Sequence, residues 1–198
     1  MLLRGWGHET FARALILNMA REASLPQPGI HVRSARGGHG RAITELKAWL
    51  RQVATSRGNP ADLLVVLIDA NSEGWRNQRR AIEKEIDANA SVYPAVIVAC
   101  PDPHIEAWCA ADPEAFQQLF SCSVSQPPGQ PGRHVYKRWL SEALEAAGEL
   151  VLSDPMDIAI DLVPRMDLYR SGKTCPSLAH LITQLRRELR RHSPACSP

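Results

Sequence analysis

The chain has 198 residues, 44% of them apolar and 22% charged, and a formal net charge of +2. That is the make-up of a globular protein with room for one well-buried α/β domain and a helical appendage, and it excludes a disordered or fibrous chain. No apolar run approaches the roughly 20 residues of a bilayer-spanning helix, so no membrane partner is expected, and a mildly basic balance permits a nucleic-acid partner without demanding one.

The opening segment, MLLRGWGHETF, does not read as a signal peptide, because charge and glycine interrupt its apolar start. Residues 1–4 predict a first strand, and Gly5-Trp6-Gly7 a turn into a helix over 8–22 with Phe11, Ala14, Leu15 and Met19 on one face. Pro26, Pro28 and Gly29 end that helix, and IHVRSA predicts an edge strand. The loop 33–41, RSARGGHGR, is glycine-rich and basic. Ile43, Leu46, Leu50 and Val53 then mark an amphipathic helix that stops before Gly58-Asn59-Pro60.

The stretch 62–76, DLLVVLIDANSEGWR, carries the clearest signal. Six consecutive apolar residues, Leu63 to Ile68, suit a strand buried on both faces of a parallel sheet. The run ends abruptly in Asp69, Asn71 and Glu73, at the strand end where open α/β sheets bind ligands. A helix over 73–89 follows, with Trp75, Ile82 and Ile86 as its apolar stripe. YPAVIVAC predicts another buried strand, ending at Pro101 and Asp102.

Asp102-Pro103 and Asp112-Pro113 each fit an N-cap followed by proline in the first helical turn. Residues 121–133 read as a Pro/Gly/Ser/Gln-rich loop, and the remainder as helices over 134–148, 155–169 and 177–191. In the last of these Leu178, Leu181, Ile182, Leu185 and Leu189 face inward and Arg186, Arg187, Arg190 and Arg191 outward. The alternation of strands and helices predicts an α/β fold, a three-layer, mostly parallel sheet flanked by helices. Residues 1–120 form its α/β part and 121–198 a helical extension packed on the same domain.

Five cysteines, Cys100, Cys109, Cys122, Cys175 and Cys196, are odd in number and include no CxxC. This argues against a zinc knuckle or a disulfide framework and for a reducing, cytoplasmic setting. Gly172-Lys173-Thr174 ends like a phosphate-binding loop, but Asp167 stands where its first glycine belongs and no strand precedes it. His8, His39 and His104 with Cys100 lack paired metal-ligand spacing.

The candidate site joins strand ends. Asp69, Asn71 and Glu73 follow one strand, Asp102, His104 and Glu106 another, and Glu9 lies just beyond the first. Converging carboxylates repel unless a cation neutralises them, which points to Mg²⁺ or Mn²⁺ on Asp69, Asn71, Glu73 and Glu106. Such a site with arginines beside it has the chemistry of phosphodiester cleavage. Arg76, Arg79 and Arg80 start next to the acids and are placed to grip phosphates. Arg4, Lys137 and Lys173 complete the candidate phosphate-binding set. For Asp102 plain helix capping is the competing reading, and for Glu9 and Glu106 compensation of the helix dipole.

The stretches GWGHETFARAL, LLVVLIDANSEGW and PDPHIEAWCAAD resemble the landmarks of Toprim-like domains, and in particular small stand-alone relatives of OLD-family endonucleases from bacterial defence loci. The resemblance covers about the first 120 residues. It matches Asp69 to the first acid of an Asp-x-Asp pair and Glu106 to an acid ahead of Trp108, and makes Glu9 an acid at the start of the first helix. Arg4-Gly5 stands where Glu-Gly is the pattern, and Asn71 replaces the second aspartate. The resemblance implies a Mg²⁺-dependent nuclease acting on DNA or RNA in phage defence, with Glu9, Asp69 and Glu106 catalytic and a separate ATPase subunit as partner. The alternative is a catalytically degenerate adaptor or sensor subunit of such an ATPase complex. A third class is an enzyme acting on a small phosphorylated substrate.

Overall fold

The computed structural model describes residues 2–3, 6–35, 39–55, 61–71, 73–87, 93–121, 134–148 and 154–192. Its single sheet has the order β2-β1-β3-β4: β1 is Leu2–Leu3, β2 Arg33–Ser34, β3 Leu64–Leu67 and β4 Val96–Ala99. All three strand pairings are parallel, with Leu2 opposite Val66 and Val65 opposite Ile97. The exposed β2 sits at one edge, as its interrupted pattern predicts.

Side chains alternate across the central strands, which is why β3 and β4 are apolar throughout. Val65, Leu67, Ile97 and Ala99 enter one apolar cluster with Phe11, Leu15, Trp108, Trp139, Leu140, Leu178 and Leu185. Leu64, Val66, Ile68, Val98 and Cys100 enter the other, with Leu46, Leu50, Ile82 and Ile86. Burying one such aliphatic side chain contributes about 1.5–3 kcal/mol, so two clusters of this kind hold the sheet from both faces. The described residues are mixed α/β, mostly helical around a small parallel sheet.

The helices on the first cluster are α1 (Trp6–Glu22), α4 (Glu106–Cys109), α5 (Pro113–Phe120), α6 (Val135–Ala146), α7 (Ala159–Leu162), α8 (Leu168–Thr174) and α9 (Pro176–His192). The second cluster is covered by α2 (His39–Thr55) and α3 (Trp75–Asp87). Leu178, Leu181, Ile182 and Leu185 of α9 are buried, and Arg186, Arg187, Arg190 and Arg191 are exposed, as their spacing predicts.

Three expectations need correction. The basic loop expected over 33–41 is shorter, because β2 takes its start and α2 begins at His39. The single helix expected over 155–169 is a 3-10 turn Pro155–Ile158, the short α7 and a second turn Val163–Arg165. Pro164 has no N–H for an interior helical bond, and Asp167 caps a new helix by accepting from Tyr169 and Arg170 N–H. Finally, no helix starts at Pro103; the carboxylate of Asp102 accepts instead from Trp75 N–H, at 3.1 Å, and so caps α3. The expected loop at 122–133 and the segment Gly58-Asn59-Pro60 lie outside the described residues.

Two glycines fix the chain, one by lack of space and one by its backbone conformation. A Cβ on Gly7 would lie 2.6 Å from Met156 Cγ and 2.9 Å from Met156 Cβ, so α1 and the 155–158 turn touch only because this residue is bare. Gly74, at φ +74°, turns the chain into α3.

Candidate active site at the strand ends

Beyond β3 the chain keeps pairing with the segment after β4. Ile68 N–H donates to Ala99 O at 3.2 Å, Ala70 N–H to Pro101 O at 2.7 Å, and Asn71 N–H to Pro103 O at 3.1 Å. With the Trp75–Asp102 bond, these contacts stitch 68–75 to 99–103 and put Asp69 beside His104. Asn71 has φ 52°, a left-handed conformation that asparagine tolerates better than most residues.

Asp69 is 7% exposed, and each of its carboxylate oxygens faces a histidine. His8 Nε2, from the first turns of α1, donates to Oδ1 at 2.8 Å. His104 Nδ1 lies 3.5 Å from Oδ2, a longer contact. His8 is buried and the His104 side chain 20% exposed, so His104 is the member nearer solvent. Burial on its own would raise the pKa of Asp69. Hydrogen bonds from His104 and His8, and the charge of both rings, outweigh it and hold the carboxyl well below the ordinary carboxylate range. Behind this cluster, burial first and the Asp69 charge second push the Cys100 thiol up to about 12.

The other predicted acids are placed differently. Glu106 opens α4, two residues beyond His104, and is half-buried. Glu73 is exposed. Asn71 turns its amide back to the Asp69 carbonyl at 3.4 Å. Glu9 accepts from Arg13 Nε at 2.9 Å and lines a groove with Leu17, Ile160 and Pro164. Among the described residues no three His, Cys, Asp or Glu side chains are grouped to hold a metal ion. Mg²⁺ takes oxygen ligands in near-octahedral geometry, whereas here both Asp69 oxygens face imidazoles and Glu9 is spent on an arginine. Among the described residues, then, no preformed oxygen cage for Mg²⁺ or Mn²⁺ is present.

Among the predicted phosphate ligands, Arg76 is exposed and stacks on Trp75, its Cζ 4.6 Å from the ring centroid. Arg79 turns inward instead: its Nη1 lies 3.2 Å from His180 Nε2 and its Nε 3.6 Å from Glu83. Lys137 is exposed on α6, and Lys173 lies over the Tyr169 ring on α8. Arg4 lies outside the described residues.

Sequence reasoning placed His104 among the strand-end residues without a role and gave His8 none beyond a metal site it set aside. The only signal in the chain that could have brought them forward is their position, each next to a predicted strand end and each one or two residues before a glutamate.

Over residues 5–186 the chain matches the family described as a domain of unknown function, DUF4276, and it belongs to that family. No curated protein and no solved structure matches it. Among the described residues no helix is long and apolar enough to cross a membrane.

Proposed function

We propose that this chain is a nuclease-like protein of Toprim-like, three-layer architecture that cleaves phosphodiester bonds of DNA or RNA at the Asp69 strand end. One observation carries this reading. A buried carboxylate at the C-terminal end of a central strand is kept ionised by two histidines from two other elements. Asp69 at His104 Nδ1 draws the proton of a neutral ring onto that nitrogen, which makes Nε2 the basic one. His104 then takes a proton from the attacking hydroxyl or water as its oxygen bonds to phosphorus. It returns a proton to the oxygen that departs as the P–O bond breaks. Asp69 orients the ring and stabilises the imidazolium, and His8 fixes Asp69 from behind. Neither proton transfer is routed through a metal.

Labelled DNA and RNA strands incubated with wild type and with Asp69→Asn test the proposal. Cleavage by the wild type that falls about 100-fold or more in the variant supports it; equal cleavage by both removes Asp69 from the chemistry.

A second reading is favoured by the Glu9–Arg13 pair and the doubly engaged Asp69. With its acids already satisfied, the chain would be a catalytically degenerate adaptor or sensor for an ATPase subunit. Absence of cleavage on any strand, with or without Mg²⁺ or Mn²⁺, would favour this reading. The small phosphorylated substrate has no observation of its own to favour it.

A further inference from the structure

We infer that one outer stripe of α3, Arg76–Arg80–Lys84, is the track on which a single-stranded nucleic-acid backbone lies; the identity of the ligand rests on the nuclease reading above. The three residues stand at i, i+4 and i+8, so they line one face of the helix with about 6 Å between steps, and all are exposed. Among the described residues none of them is in an ion pair. Two acids of the same helix are engaged elsewhere: Glu83 on Arg79, and Glu85 on Lys47 of α2.

This arrangement works against the helix that carries it. Like charges at i,i+4 cost about 0.2–0.5 kcal/mol per pair. Arg76 also sits in the first turn of α3, where the helix dipole disfavours a cation and the helix supplies no acid of its own, the Asp102 carboxylate capping that end instead. Several basic residues on other helices are compensated. Arg13 pairs with Glu9, Arg41 with Glu45 and Arg138 with Glu142. Arg187 and Arg191 share the buried Glu188, and Arg190 lies in a last turn that suits cations. Among the described residues Lys137, in the first turn of α6, is likewise exposed and outside any ion pair, but it stands alone, whereas on α3 three such cations form one row. The start of α3 is held by Asp102, two residues before His104, so the stripe starts beside the proposed reaction centre. Neutralising phosphates would relieve the repulsion, and the stacked Trp75 holds the Arg76 guanidinium at the mouth of the track.

Fluorescence anisotropy with short labelled single strands of DNA and RNA, titrated between about 50 and 200 mM salt, tests the track. The wild type is expected to bind with strong salt dependence. R76A/R80A/K84A, with circular dichroism confirming its fold, is expected to lose about 100-fold in affinity near 0.1 M salt. Its log–log salt slope should shrink by about 2, roughly 0.7 for each lost contact with a single strand. No wild-type binding, or a triple variant with unchanged affinity and slope, overturns the inference. It is also overturned if the triple variant loses binding to anionic vesicles or an acidic peptide and keeps binding to the strands. Binding through the track with no cleavage keeps this inference and removes the nuclease reading. Cleavage with binding indifferent to the three substitutions does the reverse.

Discussion

His8 Nε2 donates to Asp69 Oδ1 at 2.8 Å across 61 positions of sequence, and so ties the start of α1 to the end of β3. The bond gives a buried carboxylate a partner, and it makes Asp69 sensitive to acid. The unfolded chain titrates this group near 3.9, and the folded chain holds it lower. A depressed folded pKa brings stability that is complete above about pH 4 and is lost as pH falls through the folded value. Asp69→Asn should cost about 1–3 kcal/mol at pH 7, from polar groups left without their charged partner. It should also flatten the acid limb. Urea unfolding midpoints between pH 7 and 2.5 check both, and a variant as acid-sensitive as the wild type would contradict the account.

Asp112 is another buried carboxylate, fully enclosed between α5 and α8. It accepts from Arg170 Nε and Nη2 at 3.0 Å each, from Asp167 N–H at 2.8 Å, and from Ala115 N–H at 3.4 Å. Asp112→Ala leaves the Asp167 and Ala115 N–H groups without their acceptor, while Arg170 keeps Glu114, and should destabilise by about 1–3 kcal/mol. Equilibrium urea unfolding measures it, and a loss below about 1 kcal/mol would contradict this reading.

Gly7→Ala places a methyl group inside contact distance of Met156 Cβ and Cγ. Because the near end of that side chain cannot swing away, α1 or the 155–158 turn must move. An overpacking cost of about 1–3 kcal/mol is expected in thermal or urea unfolding. Since Gly7 precedes His8, the variant should also loosen the Asp69 contact and lower cleavage more than its stability loss alone requires.

Cys100, Cys109 and Cys175 are buried free thiols whose pKa burial raises, Cys100 to about 12. At pH 8 all three should resist a thiol-modifying reagent in the folded protein and react once it is unfolded in urea. Mass mapping of the modified peptides reads this directly; rapid labelling of Cys100 in the folded chain would contradict its placement behind β4.

The parts of this architecture that were legible in the sequence are those written in short range. Leu63 to Ile68 followed by Asp69 announces a buried strand with a carboxylate at its end, and Asp112-Pro113 announces a real helix cap. Asp102-Pro103 has the same grammar and misleads, because its carboxylate reaches back 27 residues to Trp75 and no local rule contains that partner. The pairing of both histidines with Asp69 was hidden for the same reason: the parallel pairing of β1 with β3 brings His8 there, and that of β3 with β4 brings His104. The break of 155–169 was visible in Pro164 and Asp167, but the apolar periodicity across them argued for one continuous helix.

The most direct test of the His8–Asp69–His104 centre is cleavage of labelled single-stranded RNA and DNA in excess chelator, wild type beside His104→Gln. The account predicts that the wild type cuts without added metal and that the variant, folded by circular dichroism, loses about 100-fold or more. Activity that vanishes with chelator, or that survives intact in His104→Gln, would contradict it.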